Sequence, residues 1–201
     1  MDMNRRNLLT RSTLAPLVFI PGAVELAARP ALQGKPVELP NVQLITHNKR
    51  RVRFYDDLVR GNRLVLINFM YAQCSEICPG MTANLVQVQR VLGKRVGREV
   101  FMYSISLLPE QDSPEVLAAY AQGLGAGPGW TFLTGLGKDI ETLRRALGYA
   151  DPNPEVDADI TQHIGMVRIG NDALGRWMAC PALANPRQIA QEAMWIGLAR
   201  A

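Results

Sequence analysis

Leu64-Val65-Leu66-Ile67-Asn68-Phe69-Met70-Tyr71-Ala72-Gln73-Cys74-Ser75-Glu76-Ile77-Cys78-Pro79 is the stretch on which the fold turns. Its first half is a near-continuous apolar run, the pattern of a strand buried on both faces in the middle of a parallel sheet. Its second half is a short loop with two thiols, closed by a proline. Pro79 fits the opening turn of a helix, where a missing amide hydrogen costs nothing. Proline also restricts the residue before it to extended geometry. This reading makes Cys78 the N-cap of the helix and leaves Cys74 in the loop above it.

Outward from that junction the chain alternates strands and helices. Leu85, Val88, Val91 and Leu92 recur at helical spacing after Pro79. Val100 to Leu107 is a second buried strand. Ser113-Pro114-Glu115 opens another helix, with Ser as cap, Pro in the first turn and Glu near the positive end. Val116, Leu117 and Tyr120 are its expected inner residues. Trp130 to Leu133 is a third strand, Asp139 to Leu147 a helix ended by Gly148, and Asp151 to Asp159 a Pro/Asp loop. Ile164 to Ile169 and Arg176 to Met178 are strands joined by a turn, and Pro186 to Leu198 is a final amphipathic helix. Upstream, Val42 to Ile45 and Arg51 to Phe54 form a hairpin, followed by one helical turn at Asp56 to Val59. Crossover helices between apolar strands imply an α/β domain with a mixed central sheet flanked by helices on both faces. A thioredoxin-like domain over residues 41–201 with an N-terminal β-hairpin extension is the compact solution.

The chain has 201 residues, is 48% hydrophobic and carries a formal charge of +4, enough for one good-sized core and no second domain. Only 6% of residues are aromatic and no basic stripe tracks a face, so nothing favours a nucleic-acid partner. Residues 1–28 read separately. Arg5, Arg6 and Arg11 precede the mostly apolar Leu14 to Val24, and small Ala27 and Ala28 follow. That is a secretory pattern, and Asn4-Arg5-Arg6-Asn7-Leu8-Leu9 resembles a twin-arginine export signal. Residues 29–40 read as a linker. The expectation is an exported protein, in the periplasm or at the outer face of the cytoplasmic membrane, with membrane association through the N-terminal segment.

Three cysteines cannot staple a domain of this size, but a local pair in an exported chain points to metal or redox chemistry. Unpaired amides at a helix start favour thiolate, which both chemistries need. Three residues separate Cys74 from Cys78, one more than in the common thioredoxin-type redox motif. Two thiolates with the imidazole of His163 form a three-coordinate donor set suited to a copper ion, whereas zinc usually takes a fourth ligand. The same pair could exchange disulfides, with one cysteine attacking and the other resolving. Other residues have plainer readings: His47 in a surface turn, Cys180 as a free thiol, Met166, Met178, Trp130 and Trp177 as packing, and Glu76 as a solvated loop acid.

The stretch Phe69 to Pro79 resembles the cysteine motif of the SCO/SenC family of copper-binding, thioredoxin-like assembly proteins. Tyr103-Ser104-Ile105-Ser106 with Pro109 to Leu117, Trp130 to Gly135, and His163 before a later strand are similar to three further landmarks of that family, in the same order. The resemblance implies that Cys74, Cys78 and His163 are copper ligands. It implies delivery of copper to a receiving protein such as an oxidase subunit, or reduction of that partner's cysteines. Two positions depart from the family pattern. Leu107 and Leu108 stand where an acidic residue is common, and Gln162 stands where an aspartate often precedes the histidine.

Overall fold

The computed structural model describes residues 38–159 and 165–197. The export signal expected at 1–28, nearly all of the 29–40 linker, and His163 with Gln162 and Ile164 lie outside the described residues. Among those described, seven strands form one sheet. They are β1 (Gln43–Thr46), β2 (Arg51–Arg53), β3 (Leu64–Met70), β4 (Val100–Ser106), β5 (Trp130–Gly135), β6 (Met166–Asn171) and β7 (Arg176–Pro181). The order across the sheet is β2-β1-β5-β4-β3-β6-β7. β3, β4 and β5 run parallel, and both flanks are antiparallel. This is the expected mixed thioredoxin-like sheet, with the N-terminal hairpin docked on the outer side of β5.

All seven residues of β3 are buried, as its unbroken apolar run requires. Its alternate side chains supply two cores. Leu64, Leu66 and Met70 pack beneath α1 (Ile77–Leu92), α2 (Pro114–Gly123) and α5 (Pro186–Gly197). Val65, Ile67 and Phe69 face α3 (Gly137–Ala146) and the hairpin. Asn68 interrupts the first set and stays satisfied at its oxygen. Ser104 Oγ donates to Asn68 Oδ1 at 2.7 Å and accepts from Trp130 Nε1 at 2.9 Å.

Several local expectations change. Val116 and Val91 face solvent, 36% and 50% exposed, because the buried stripes of their helices run through Leu117 and Ala121 and through Leu85, Val88 and Leu92. His47 is half-buried rather than a surface turn residue: its Nδ1 accepts the Phe132 amide at 3.0 Å and so joins the hairpin to β5. The last hairpin strand extends to Pro181 and carries Cys180 in register with Val167. Trp177 is a packing residue whose indole lies on Gly170, where a Cβ would come within 2.1 Å of the ring.

The Pro/Asp segment contains a short helix, α4 (Pro154–Ala158), capped by the Asn153 side chain. One ion cluster ties it to α3. Arg144 Nη2 donates to Asp157 Oδ2 at 2.8 Å and to Glu141 Oε1 at 3.0 Å, and the Asp151 amide donates to Asp157 at 2.8 Å. Hydrogen bonds from Arg144, then from the Asp151 amide, hold the Asp157 carboxyl well below the usual aspartate range. A carboxylate depressed in this way stabilises the fold fully above about pH 4 and loses that contribution as the pH falls through its folded-state value. Asp157→Asn is therefore expected to be less stable than wild type near neutrality, and the gap should narrow on acidification. Urea unfolding at about pH 7 and about pH 3 checks this; an equally wide gap at both would contradict it.

Candidate metal and thiol centre

The cysteine motif leaves the carboxyl end of β3, where parallel strands of open α/β sheets commonly present their functional loops. A turn comes first, with the Cys74 amide donating to the Tyr71 carbonyl at 3.2 Å. Helix α1 then begins at Ile77 with Glu76 as the N-cap residue, so Cys78 is inside the first turn and is not the cap. Pro79 sits one position after it. The physical reason is that no amide in the first helical turn has a partner within the helix, so proline is accepted anywhere in it. Cys78 also gains burial under the helix, which outweighs the extended bias that Pro79 imposes on it.

Both cysteines are buried, Cys74 at 6% and Cys78 at 0% exposure, and neither is in a disulfide. They share a hydrogen bond and differ sharply in acidity. Burial pushes Cys74 up, but the Cys78 thiol, the amides of Cys78 and Glu76 and the Tyr71 hydroxyl all favour its thiolate and together bring it below the ordinary thiol value. Burial, then the neighbouring Cys74 sulfur, pushes Cys78 up to about 12. The Tyr71 hydroxyl is itself pushed up to about 12, chiefly by its hydrogen bond to Cys74. Behind the pair, the Tyr120 and Thr82 hydroxyls are 3.0 Å apart. Glu76 is exposed, the solvated loop acid expected of it.

Two long-range contacts hold the cysteine helix in place. Asn84 Nδ2 donates to the carbonyls of Ala182 and Ala184, each at 2.8 Å, and so stitches α1 to the turn between β7 and α5. Gly165, at the foot of β6, lies against the first turns of α1: a Cβ there would be 2.6 Å from Ile77 Cδ1 and 3.3 Å from Met81 Sδ. Among the described residues no group of three or more His, Cys, Asp and Glu side chains gathers to hold an ion. The structure thus brings Cys74 and Cys78 together, while the third expected ligand, His163, lies outside the described residues. Cys180 is partly exposed on β7 and its thiol is raised, first by burial and then by Glu192. Met178 packs against the core beneath α1 and Met166 against the opposite one.

The sequence profile of the SCO1/SenC family matches residues 33–194. The chain belongs to the SCO1/SenC family. Among its relatives is a SCO1 protein homolog of Bacillus subtilis, 37% identical over 71 residues; that match spans 35% of this chain and 36% of the relative's length. The fold is similar to the copper-bound structure of Bradyrhizobium japonicum ScoI, at 25% identity and a TM-score of 0.61, covering 77% of this chain and 96% of that one. It is also similar to BsSco, described as a Sco-family cytochrome c oxidase assembly protein with a disulfide switch, at 23% identity and a TM-score of 0.62, covering 81% and 96% of the two chains.

The contacts of Tyr71, Asn84 and Asp112 with the cysteine loop and α1 were not read from the sequence. Asp112 contacts the cysteine loop from 40 positions away, and Asn84 reaches 98 and 100 positions along the chain. Asp112 stands in the Pro109 to Leu117 landmark, but nothing local shows that it reaches the cysteine loop, and Asn84 has no local signal. Tyr71 stands inside the cysteine motif, but the motif alone gave it no role.

Proposed function

We propose that this chain carries copper in the cell envelope, bound by the thiolates of Cys74 and Cys78 and the imidazole of His163, and passes it to a respiratory oxidase subunit. The buried sulfur pair carries this reading. Two soft donors sit side by side at a helix start, with amides that favour thiolate directed at one of them. Gly165 supports the third ligand. It rests on Ile77, within the cysteine motif, and His163 is two residues earlier. Two residues reach at most about 7 Å. Family membership and the copper-bound Bradyrhizobium relative support the choice of metal. The basic and apolar pattern of residues 1–28 supports export, with 29–40 as the tether. Among the described residues no helix is long and apolar enough to cross a membrane.

Copper is the cargo in this reading, and the protein supplies donors that can be exchanged one at a time. Cys74, the more exposed and more acidic sulfur, is the one a partner thiol meets first. Titration of copper into the reduced protein, followed by absorption and electron paramagnetic resonance, tests the assignment. One copper per chain is expected. Cys74→Ser, Cys78→Ser and His163→Ala should each weaken binding at least about a hundredfold, equivalent to about 2.8 kcal/mol. Unchanged affinity and spectrum in His163→Ala would remove that residue from the site.

The unequal acidity of the two thiols favours a second reading, thiol-disulfide exchange. The Cys74 thiolate attacks one sulfur of a partner's disulfide, forming a mixed disulfide and releasing a partner thiolate. Cys78, after giving up its proton, attacks the Cys74 sulfur and releases the second. The partner gains two electrons and this chain ends as the Cys74–Cys78 disulfide. Metal-free reduction of a protein disulfide at an undiminished rate in His163→Ala would raise this reading above the first.

A further inference from the structure

Asp112 is 1% exposed, yet it belongs to the loop between β4 and α2. Burying a carboxylate is costly unless donors replace its water. Here the Ala72 amide donates to both oxygens, at 3.1 and 3.3 Å, and the Ser106 hydroxyl donates to Oδ2 at 2.6 Å. Ser106 Oγ in turn accepts the Leu108 amide at 3.0 Å. The loop folds back to make this possible, with the Gln111 and Asp112 amides both donating to the Leu108 carbonyl at 2.9 Å. Ser113, the next residue, caps α2, so Asp112 immediately precedes that helix.

The amide that Asp112 takes is not an arbitrary one. Ala72 is inside the turn that the Cys74 amide closes on the Tyr71 carbonyl. Cys78 is fixed by α1 and Met70 by the sheet, where the Leu107 amide donates to its carbonyl at 2.8 Å. The turn between them belongs to neither the sheet nor the helix, and the carboxylate holds it at Ala72. An exposed loop amide could be satisfied by water; a buried carboxylate held by Ser106 fixes where that amide must be.

We infer that Asp112 is a positioning residue for Cys74: through the Ala72 amide it sets the turn that holds the Cys74 sulfur beside Cys78. The inference rests on the reading of the cysteine pair as the working centre.

The test begins without copper. Reduced protein is equilibrated with glutathione disulfide, so that the two thiols give two electrons and two protons to it and yield the internal disulfide with two glutathione thiols. Asp112→Ala frees the turn, lowers the effective concentration of Cys74 at Cys78, and should reduce that equilibrium constant about tenfold, which corresponds to about 30 mV. Exchange of the Ala72 amide should rise at least about tenfold while the amides of β3 to β5 keep their protection. Asp112→Asn retains one acceptor and should shift both readouts in the same direction by less. Copper titration of the same variants should show weakened binding and an altered absorption band. A folded variant whose disulfide equilibrium and Ala72 exchange match wild type overturns the inference. So does loss of the fold in both variants, since the carboxylate would then hold the domain rather than the sulfur. If the wild-type chain takes up no copper, the copper reading fails, and the glutathione and exchange measurements still decide on Asp112.

Discussion

Iodoacetamide added to the reduced, metal-free protein at about pH 8 is expected to label Cys74 long before Cys78. Only the thiolate is alkylated. Cys74 lies below the ordinary thiol value, since the hydrogen bonds to its sulfur outweigh the effect of burial. Cys78 is pushed up to about 12, so at that pH about one molecule in ten thousand carries its thiolate. Access acts in the same direction, because Cys78 has no exposed surface and Cys74 has a little. The rates should differ by at least about a hundredfold. Mass spectrometry of peptides from timed samples gives both rates in one experiment. Tyr71→Phe removes one donor to the Cys74 sulfur and should narrow the ratio. Equal labelling of the two thiols in wild type would contradict the asymmetry on which the proposed order of ligand release and the proposed disulfide exchange both depend.

Phe132→Ala is expected to cost about 3–5 kcal/mol of stability, a large share of the roughly 5–15 kcal/mol available to a domain. Phe132 is fully buried in β5. Its ring stacks on Trp130 at 5.3 Å and meets Tyr120 edge-on at 5.9 Å and His47 edge-on at 6.1 Å. It therefore joins the N-terminal hairpin to the helix whose tyrosine stands behind the cysteine pair. Aromatic pairs of this geometry add about 0.5–1.5 kcal/mol each beyond area burial. Urea unfolding followed by circular dichroism measures the loss, and a cost near that of a surface substitution would show that the cluster repacks around the hole.

The sheet was legible because its signal is local. The β3 run, the apolar strands on either side and the Ser113-Pro114 cap carry their structure in consecutive residues. The cysteine pair was legible for the same reason, as a dithiol loop between strand and helix. What escaped was set by distance in sequence or by competition between weak preferences. Cys78 entered the helix although Pro79 biases it toward extended backbone, because burial beneath α1 is the larger effect. The short helix α4 forms where proline and aspartate suggest only a loop, since Asn153 caps it and Arg144 draws Asp157 to α3. The contact of Asp112 with the cysteine loop depends on a fold-back of the loop after β4, and no periodicity encodes a fold-back.

The stitch from Asn84 to Ala182 and Ala184 has a consequence for the order in which the molecule is made. The helix that begins just after Cys74 and carries Cys78 is fastened to residues synthesised 98 and 100 positions after Asn84. Contacts this distant in sequence form late, since a long loop must close before they give anything back. The two thiols are therefore exposed to oxidants and stray metal for about half of the chain's growth, and they acquire their sheltered geometry only once the turn before α5 has been made.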